Sequence, residues 1–368
     1  MDEIYLGLMS GTSLDAVDAV AVRIHSQHIS LMGTHSLTLP EDLRAQILAL
    51  TQPSDNEIER LGAVDVLLGQ LFAKCAHQLM DKLGLAASQI RAIGSHGQTI
   101  RHRPLHRPAF SLQITDPNVI AELTGVTVVA DFRRRDVAAG GQGAPLVPAF
   151  HAAILGHENM DRVVLNLGGM ANITVLPKAN GLVYGYDTGP ANVLMDAWCQ
   201  RHLQQSYDTH GAWAASGHVI PSLLTTLLDH PYFAKAAPKS TGREDFHIDW
   251  LDTLLLDFPH ASPADIQCTL LELTAESIAR EIDKISFNVG ELWLCGGGAF
   301  NHYLQQRLAT KLPSFSLHTT AEIGIAPTWI EAAAFAWLAH QTLHHLAGNL
   351  PAVTGAAGLR ILGGIYQA

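Results

Sequence analysis

The sequence predicts an α/β protein of two similar lobes, and three observations carry the prediction. Short apolar runs that end in glycine, at residues 4–9, 163–167 and 291–295, read as buried strands. Stretches with apolar residues at helical spacing, such as Val64, Leu67, Leu68, Leu71 and Phe72, alternate with them. The order strand, glycine turn, strand at residues 4–24 restarts at residues 163–176, so each lobe aims one hairpin at a shared cleft.

The first hairpin is broken at Ser10-Gly11-Thr12-Ser13. Gly11 lets a backbone approach closely, Thr12 and Ser13 offer hydroxyls and N–H groups, and Asp15 and Asp18 suit a hydrated magnesium ion. An ordinary surface hairpin explains the same residues taken alone. A helical region follows at 41–83, then a short strand at 90–93 that runs out into Gly94-Ser95-His96-Gly97-Gln98-Thr99-Ile100-Arg101-His102. Open α/β sheets bind ligands at such ends, which makes His96, Gln98 and Arg101 cleft candidates; a cap with nearby surface charges is the alternative.

A strand at 126–130 leads into Arg133-Arg134-Arg135 and then Gly140-Gly141-Gln142-Gly143-Ala144-Pro145. The glycines suit a loop folded around a small ligand and the arginines suit carboxylate or phosphate, although a self-paired surface fits the triplet equally well. This loop is also the expected boundary. It gives a first lobe of residues 1–135, completed by 340–368, and a second of 136–339.

In the second lobe Gly168-Gly169 separates strands at 163–167 and 173–176. Gly185-Tyr186-Asp187-Thr188-Gly189-Pro190-Ala191-Asn192 reads as a turn presenting Asp187 at the start of a helix, either as a general base or as a cap. Helices are expected at 192–203 and 220–228, a polar loop at 239–246 and a long amphipathic helix at 262–285. The strand at 291–295 meets Gly296-Gly297-Gly298, where a backbone contact to a phosphate or a flat ligand competes with simple tight packing. The helix after Pro327 carries Glu331 in its first turn, a second candidate acid or a macrodipole complement. Residues 349–368 read as irregular cover for a lobe.

Composition narrows the classes. With 368 residues, 48% hydrophobic and 15% charged, the chain can bury a large core. A formal net charge of −11 argues against a nucleic-acid partner. No apolar run approaches the ~18 residues of a membrane span, so a cytoplasmic protein without membrane attachment is expected. The four cysteines form no CxxC pair and read as buried thiols. The 20 histidines read as scattered, and no His-metal site is expected. Neither a P-loop nor a Gly-x-Gly-x-x-Gly after a strand occurs.

Several glycine turns at strand ends with one poised Asp resemble the actin, hexokinase and heat-shock-chaperone ATPase superfamily, whose two ribonuclease H-like lobes of mixed sheets close on ATP. Within it, Met9-Ser10-Gly11-Thr12-Ser13-Leu14-Asp15-Ala16-Val17-Asp18, Gly94-Ser95-His96-Gly97-Gln98-Thr99, Asp131-Phe132-Arg133, Asp136 to Pro145, Asn166-Leu167-Gly168-Gly169-Met170-Ala171-Asn172, Asp187-Thr188-Gly189-Pro190 and Cys295-Gly296-Gly297-Gly298 resemble the anhydro-N-acetylmuramic acid kinases. Ala16 departs from the glycine common at that place in the family.

The resemblance implies an interlobe active-site cleft, ATP and Mg²⁺ as cofactors, and 1,6-anhydro-N-acetylmuramic acid as the amino-sugar substrate. It implies catalytic roles for Asp187 and Glu331. Gly11, Thr12, Ser13, Leu14, Asp15, Asp18, Gly168, Gly169, Gly296, Gly297 and Gly298 fall on the ATP side, with Asp18 holding Mg²⁺ through water. Gln98, Arg133, Gly141, Gln142, Gly143 and Ala144 fall on the sugar side. A homodimer is the expected assembly. A kinase of an ordinary amino-sugar hydroxyl and a non-catalytic ATP-driven clamp are the competing readings.

Overall fold

The chain leaves its first unit and later returns to it. Met1–Ile154 and Trp329–Ala368 form one compact unit, and Leu155–Thr328 forms the other. The computed structural model describes residues 2–11, 14–25, 28–179 and 181–368, so Thr12 and Ser13 of the expected phosphate turn lie outside the described residues.

The first unit begins with an antiparallel meander, β1 (Glu3–Ser10), β2 (Ala16–His25) and β3 (His28–Thr38). Two helices follow, α1 (Glu41–Leu50) and α2 (Glu57–Leu83), in place of one helical region. Pro53, which lacks an N–H, lies in the break between them. Next come β4 (Ile90–Ser95), β5 (Gln98–Arg103), β6 (Phe110–Ile114), α3 (Pro117–Thr124), β7 (Val128–Ala130), α4 (Phe132–Ala138) and α5 (Val147–Leu155).

The second unit opens with β8 (Arg162–Leu167), β9 (Met170–Leu176) and β10 (Tyr184–Pro190). Helices α6 (Asn192–Leu203), α7 (Ala212–Ala215), α8 (Pro221–Leu228), α9 (Ile248–Leu255) and α10 (Pro263–Ile282) lead to β11 (Gly290–Cys295), α11 (His302–Lys311) and β12 (Phe315–Thr319). The chain then returns to the first unit with α12 (Ile330–Leu343), α13 (Pro351–Thr354) and β13 (Gly364–Tyr366).

The two larger sheets share one plan, while β5 and β6 pair antiparallel in a third, two-stranded sheet. In the first the order is β13-β7-β4-β1-β2-β3, and in the second it is β10-β9-β8-β11-β12. Each combines a three-stranded antiparallel meander with two strands parallel to the meander's first strand, β4 and β7 in one unit and β11 and β12 in the other. This is the expected α/β fold of two ribonuclease H-like units with helices against mixed sheets.

The strand β1 is buried from Tyr5 to Ser10, which is why it reads as an unbroken apolar run rather than an alternating one. Leu6 and Leu8 enter a core with Leu68, Phe72 and Ala76 of α2. Gly7 lies against α12: a Cβ there would stand 1.9 Å from the Ala332 carbonyl oxygen. At Gly94 on β4 a Cβ would stand 1.9 Å from that of Phe335. The second unit has its own core, in which Val163 and Leu165 of β8 meet Leu271, Ala275 and Ile278 of α10.

Four readings of the sequence change. Residues 184–190 form a strand rather than a turn, with Asp187 opposite Asn172 and a register shift before Gly189. The arginine triplet lies on α4 rather than in a glycine loop. The C-terminus is not mere cover, since β13 pairs with β7. The unit boundaries fall at 154/155 and 328/329 rather than 135/136 and 339/340. Residues 136–154 stay with the first unit because the Asp136 carboxylate accepts hydrogen bonds from Asn349 and Thr354, and α12 belongs there whole because it packs on β1 and β4. Among the described residues no helix is long and apolar enough to cross a membrane.

Replacing Gly7 or Gly94 with alanine forces a methyl into a backbone carbonyl that no side-chain rotation can clear. We expect each substitution to destabilise the protein by about 3 kcal/mol or more, read from denaturant unfolding, whereas Gly62→Ala, in open space on α2, does not.

Candidate active site

In the first unit, four of the expected site residues gather with one that the sequence marked only as a cleft candidate. Arg133 leaves the first turn of α4 and donates from Nε and Nη2 to His96 Nε2, at 3.1 and 2.9 Å, and from Nη1 to the Gly143 carbonyl at 2.9 Å. An imidazole accepting at Nε2 is neutral with its proton on Nδ1. Burial, followed by the Arg133 charge, holds His96 well below its usual value, so it stays neutral at physiological pH. Burial pulls the Arg133 guanidinium down to about 10, with Glu331 acting the other way. Arg133 is half-buried and, among the described residues, makes no ion pair; the Glu331 charge acts on it from beyond ion-pair distance. Its neighbours Arg134, which pairs with Asp131 at 3.2 Å, and exposed Arg135 do not share this setting.

Glu331 stands in the first turn of α12. Its carboxyl is raised by desolvation and by the nearby Asp18 charge, against the pull of Arg133. Burial likewise raises Asp18, although Ser36 donates to its Oδ1 at 2.8 Å. Glu331 is exposed and Asp18 half-buried, and two carboxylates so placed form an oxygen donor set that suits a hydrated divalent cation. Gln98 is nearly buried on β5, and its Oε1 has no hydrogen-bond partner in the structure. Arg101 turns away from this group to pair with Glu57 at 2.6 Å.

The glycine loop is fastened from beneath by Asp136, which is fully buried. Its Oδ2 accepts from Gly143 N at 2.8 Å, and its Oδ1 accepts from Asn349 Nδ2 at 2.7 Å and Thr354 Oγ1 at 2.8 Å. Gln142 N donates to the Thr354 carbonyl at 2.8 Å. The expected sugar residues Gly141, Gln142, Gly143 and Ala144 are thus shaped by the C-terminal segment.

The first turn is only partly as expected. Leu14 packs in the hydrophobic core at 2% exposure, so its side chain cannot contact a nucleotide and only its backbone remains available. Asp15 is exposed and turns toward Arg44, 3.9 Å away. Gly11 accepts from Leu14 N at 3.2 Å and closes the turn.

In the second unit Asp187 is set by three backbone contacts. Its N–H donates to the Lys239 carbonyl at 3.0 Å, its carbonyl accepts from the Tyr232 hydroxyl at 2.5 Å, and its Oδ2 accepts from Thr241 N at 3.0 Å. Burial pushes its carboxyl up to about 6, opposed by the Thr241 amide and aided by the Glu244 charge. Behind it lies a buried ion pair, Lys239 Nζ to Glu281 Oε1 at 2.8 Å, with the ammonium 4.8 Å from the Tyr232 ring centroid. Burial alone would raise Glu281, but hydrogen bonds from Lys239 and Lys284 hold it below its usual value.

Also in this unit is a cavity of about 540 Å³ bordered by Gly297, Gly298, Asn192, Asp196, Asp208, His210 and Phe300 among others. Gly297 has open space where a side chain would stand, whereas a Cβ on Gly298 would meet Asn192 Oδ1 at 2.8 Å. Gly296, at φ +79°, makes the turn out of β11. The carbonyls of Gly168 and Gly169 receive the N–H groups of Asn192 and Ala191, at 3.0 and 2.9 Å, and hold the start of α6. Burial, then the Asp208 charge, pushes Asp196 up to about 7. Sequence reasoning missed Asp196, Asp208 and His210, because nothing in the local sequence brings residues 196–210 to the triple glycine.

Lys239→Met leaves Glu281 with Lys284 alone and frees the segment that holds Asp187. We expect a loss of about 3 kcal/mol, the low end for breaking a buried pair, measured by denaturant unfolding. Asp136→Ala removes an acceptor of three hydrogen bonds, and it too should lower stability, by about 3 kcal/mol.

The family description "Anhydro-N-acetylmuramic acid kinase" matches residues 3–368. A protein of that name from Shewanella pealeana is 53% identical over 364 residues, covering 99% of this chain and 98% of the relative. One from Acinetobacter baylyi is 51% identical over 379 residues, covering 99% of each chain. Among solved structures, the activator of the 2-hydroxyisocaproyl-CoA dehydratase from Clostridium difficile with bound ADPNP has a TM-score of 0.48 at 12% identity, covering 93% of this chain and 96% of its own. A ROK family glucokinase from Streptomyces griseus in complex with glucose and AMPPNP has a TM-score of 0.40 at 12% identity, covering 92% and 99%. With a match that runs from the third residue to the last and half of all positions identical to its relatives, the chain belongs to the anhydro-N-acetylmuramic acid kinase family.

Proposed function

We propose that the protein is an ATP-dependent kinase that opens 1,6-anhydro-N-acetylmuramic acid and phosphorylates its O6, giving N-acetylmuramic acid 6-phosphate and ADP in peptidoglycan recycling. Family membership supports the activity. The observation that carries the mechanism is Asp187, a half-buried carboxylate raised to about 6 and held by the Thr241 amide.

In the anhydro sugar O6 is tied to C1 in an ether bridge, so it has no proton to lose and cannot by itself attack ATP. Asp187 takes a proton from water as that water attacks C1; the bond from C1 to O6 breaks, and O6 attacks the γ-phosphorus while ADP leaves. A carboxylate near 6 is ionised at neutral pH yet more basic than an ordinary Asp, which suits it to this step. Arg133, a half-buried cation outside ion-pair distance of any described carboxylate, receives the lactyl carboxylate of the sugar. Gln98 and the loop at 141–144 hold ring substituents, and Glu331 orients water or the ring.

On the ATP side the nucleoside occupies the cavity beside Gly297 and Gly298, and the turns at Gly11 and Gly168-Gly169 face the phosphates. Asp18, with Glu331 nearby, would hold Mg²⁺ through water; when bound, the ion offsets the charge that develops on the phosphates.

The test is turnover in heavy-oxygen water. Wild type should place heavy oxygen at C1 of the 6-phosphorylated product, and Asp187→Asn should lose about 10²–10⁴-fold in turnover while still binding ATP. Unlabelled C1, or turnover untouched by the substitution, would return the enzyme to simple transfer onto a free hydroxyl. Because the ionised carboxylate is the active form and its pKa is raised, kcat/KM should fall about tenfold per pH unit below about pH 6, well above the usual carboxylate range.

A further inference from the structure

At the far end of α12 from Glu331, a second cluster of metal-ligating groups stands apart from the proposed chemistry. His340 and His344 are one helical turn apart, and His344 N donates to the His340 carbonyl at 3.0 Å, so both imidazoles share a face. Glu3, on the first residue of β1, meets them: its Oε2 is 2.7 Å from His344 Nε2. One ligand atom from each of Glu3, His340 and His344 lies within 4.8 Å of the others. The His-x-x-x-His spacing is present in the sequence, so the reading of the histidines as merely scattered is corrected here.

Three further details favour a cation over a plain ion pair. His340 Nδ1 is buried without a hydrogen-bond partner. The Tyr5 hydroxyl donates to Glu3 Oε2 at 2.7 Å, orienting the carboxylate as an outer-shell donor orients a metal ligand. Arg91 approaches only the other oxygen, Oε1, at 3.7 Å, which leaves Oε2 on the histidine side. Two imidazoles and one carboxylate suit a borderline divalent ion such as Zn²⁺, which is bound at ~2.0–2.2 Å in a tetrahedron completed by water.

We propose that Glu3, His340 and His344 form a binding site for Zn²⁺ or a similar transition-metal ion that clasps the start of β1 to the C-terminal end of α12. The site is structural or regulatory rather than catalytic, because the residues assigned to chemistry sit at the opposite ends of both elements. Glu3 and His340 are half-buried and His344 is exposed, so the site is open to an ion from solvent.

The test uses untagged, chelator-stripped full-length protein titrated with Zn²⁺ against a chromophoric chelator. A single stoichiometric site is expected, together with a rise in Tm on adding Zn²⁺. His344→Ala and His340→Ala should each weaken binding by more than the ~10–100-fold that loss of an outer-shell partner causes. Circular dichroism of the variants establishes that they remain folded. X-ray absorption on the zinc-loaded wild type supplies a reading that no variant can spoil: two imidazoles in a nitrogen and oxygen shell are expected. No stoichiometric binding, a sulfur shell from the four buried cysteines, or equal binding by the double His variant would overturn the proposal and leave a simple strand-to-helix ion pair.

Discussion

The first unit depends on a backbone contact between α12 and its sheet. With hydrogen in place of a side chain at Gly7 and Gly94, the helix rests directly on β1 and β4, and its alanines at 332, 336 and 339 keep the approach close. That approach fixes more than a core. It sets Glu331 at one end of the helix, lays Phe335 against the His96 ring with centroids 4.5 Å apart, and brings His340 and His344 to the first residue of β1 at the other end. A helix held this tightly has little freedom to slide, because packed interiors are not continuously deformable.

Electrostatics at the site follow from burial answered in different ways. Arg133 is desolvated without a carboxylate in contact; a neutral imidazole and a peptide carbonyl accept from it, and the Glu331 charge offsets its own only from a distance. Asp187 is desolvated with one amide as its recorded partner, and its carboxyl rises. Lys239 and Glu281, by contrast, neutralise each other, and their role is to fix the segment against which Asp187 hydrogen-bonds. A compensated pair therefore supports a carboxyl whose own burial is only partly compensated.

Much of the strand framework was legible because glycine marks the ends of buried apolar runs. The strands β1, β2, β4, β8, β9 and β11, and helices such as α6, α8 and α10, lie close to where periodicity places them. β10 was not legible: Gly185, Gly189 and Pro190 look like turn chemistry, and only pairing with β9 makes them a strand. Local pattern gave no sign of which arginine of the triplet turns inward, and only the family resemblance singled out Arg133. Leu14, grouped with the nucleotide by its place in a motif, proves to be a core residue, since a local pattern does not reveal which way a side chain points.

The sequence by itself determined the α/β class and the repeated hairpin plan, because apolar periodicity and glycine placement act over a few residues. Only the tertiary structure decided their surroundings. Asp136 reaches Asn349 and Thr354 across more than two hundred residues, Asp196 meets the triple glycine in one cavity, and Glu3 meets His344 from the opposite end of the chain. Desolvation and charge coupling depend on these long-range neighbours, so the altered pKa values of Asp187, Arg133 and Asp196 are properties of the fold and not of any segment.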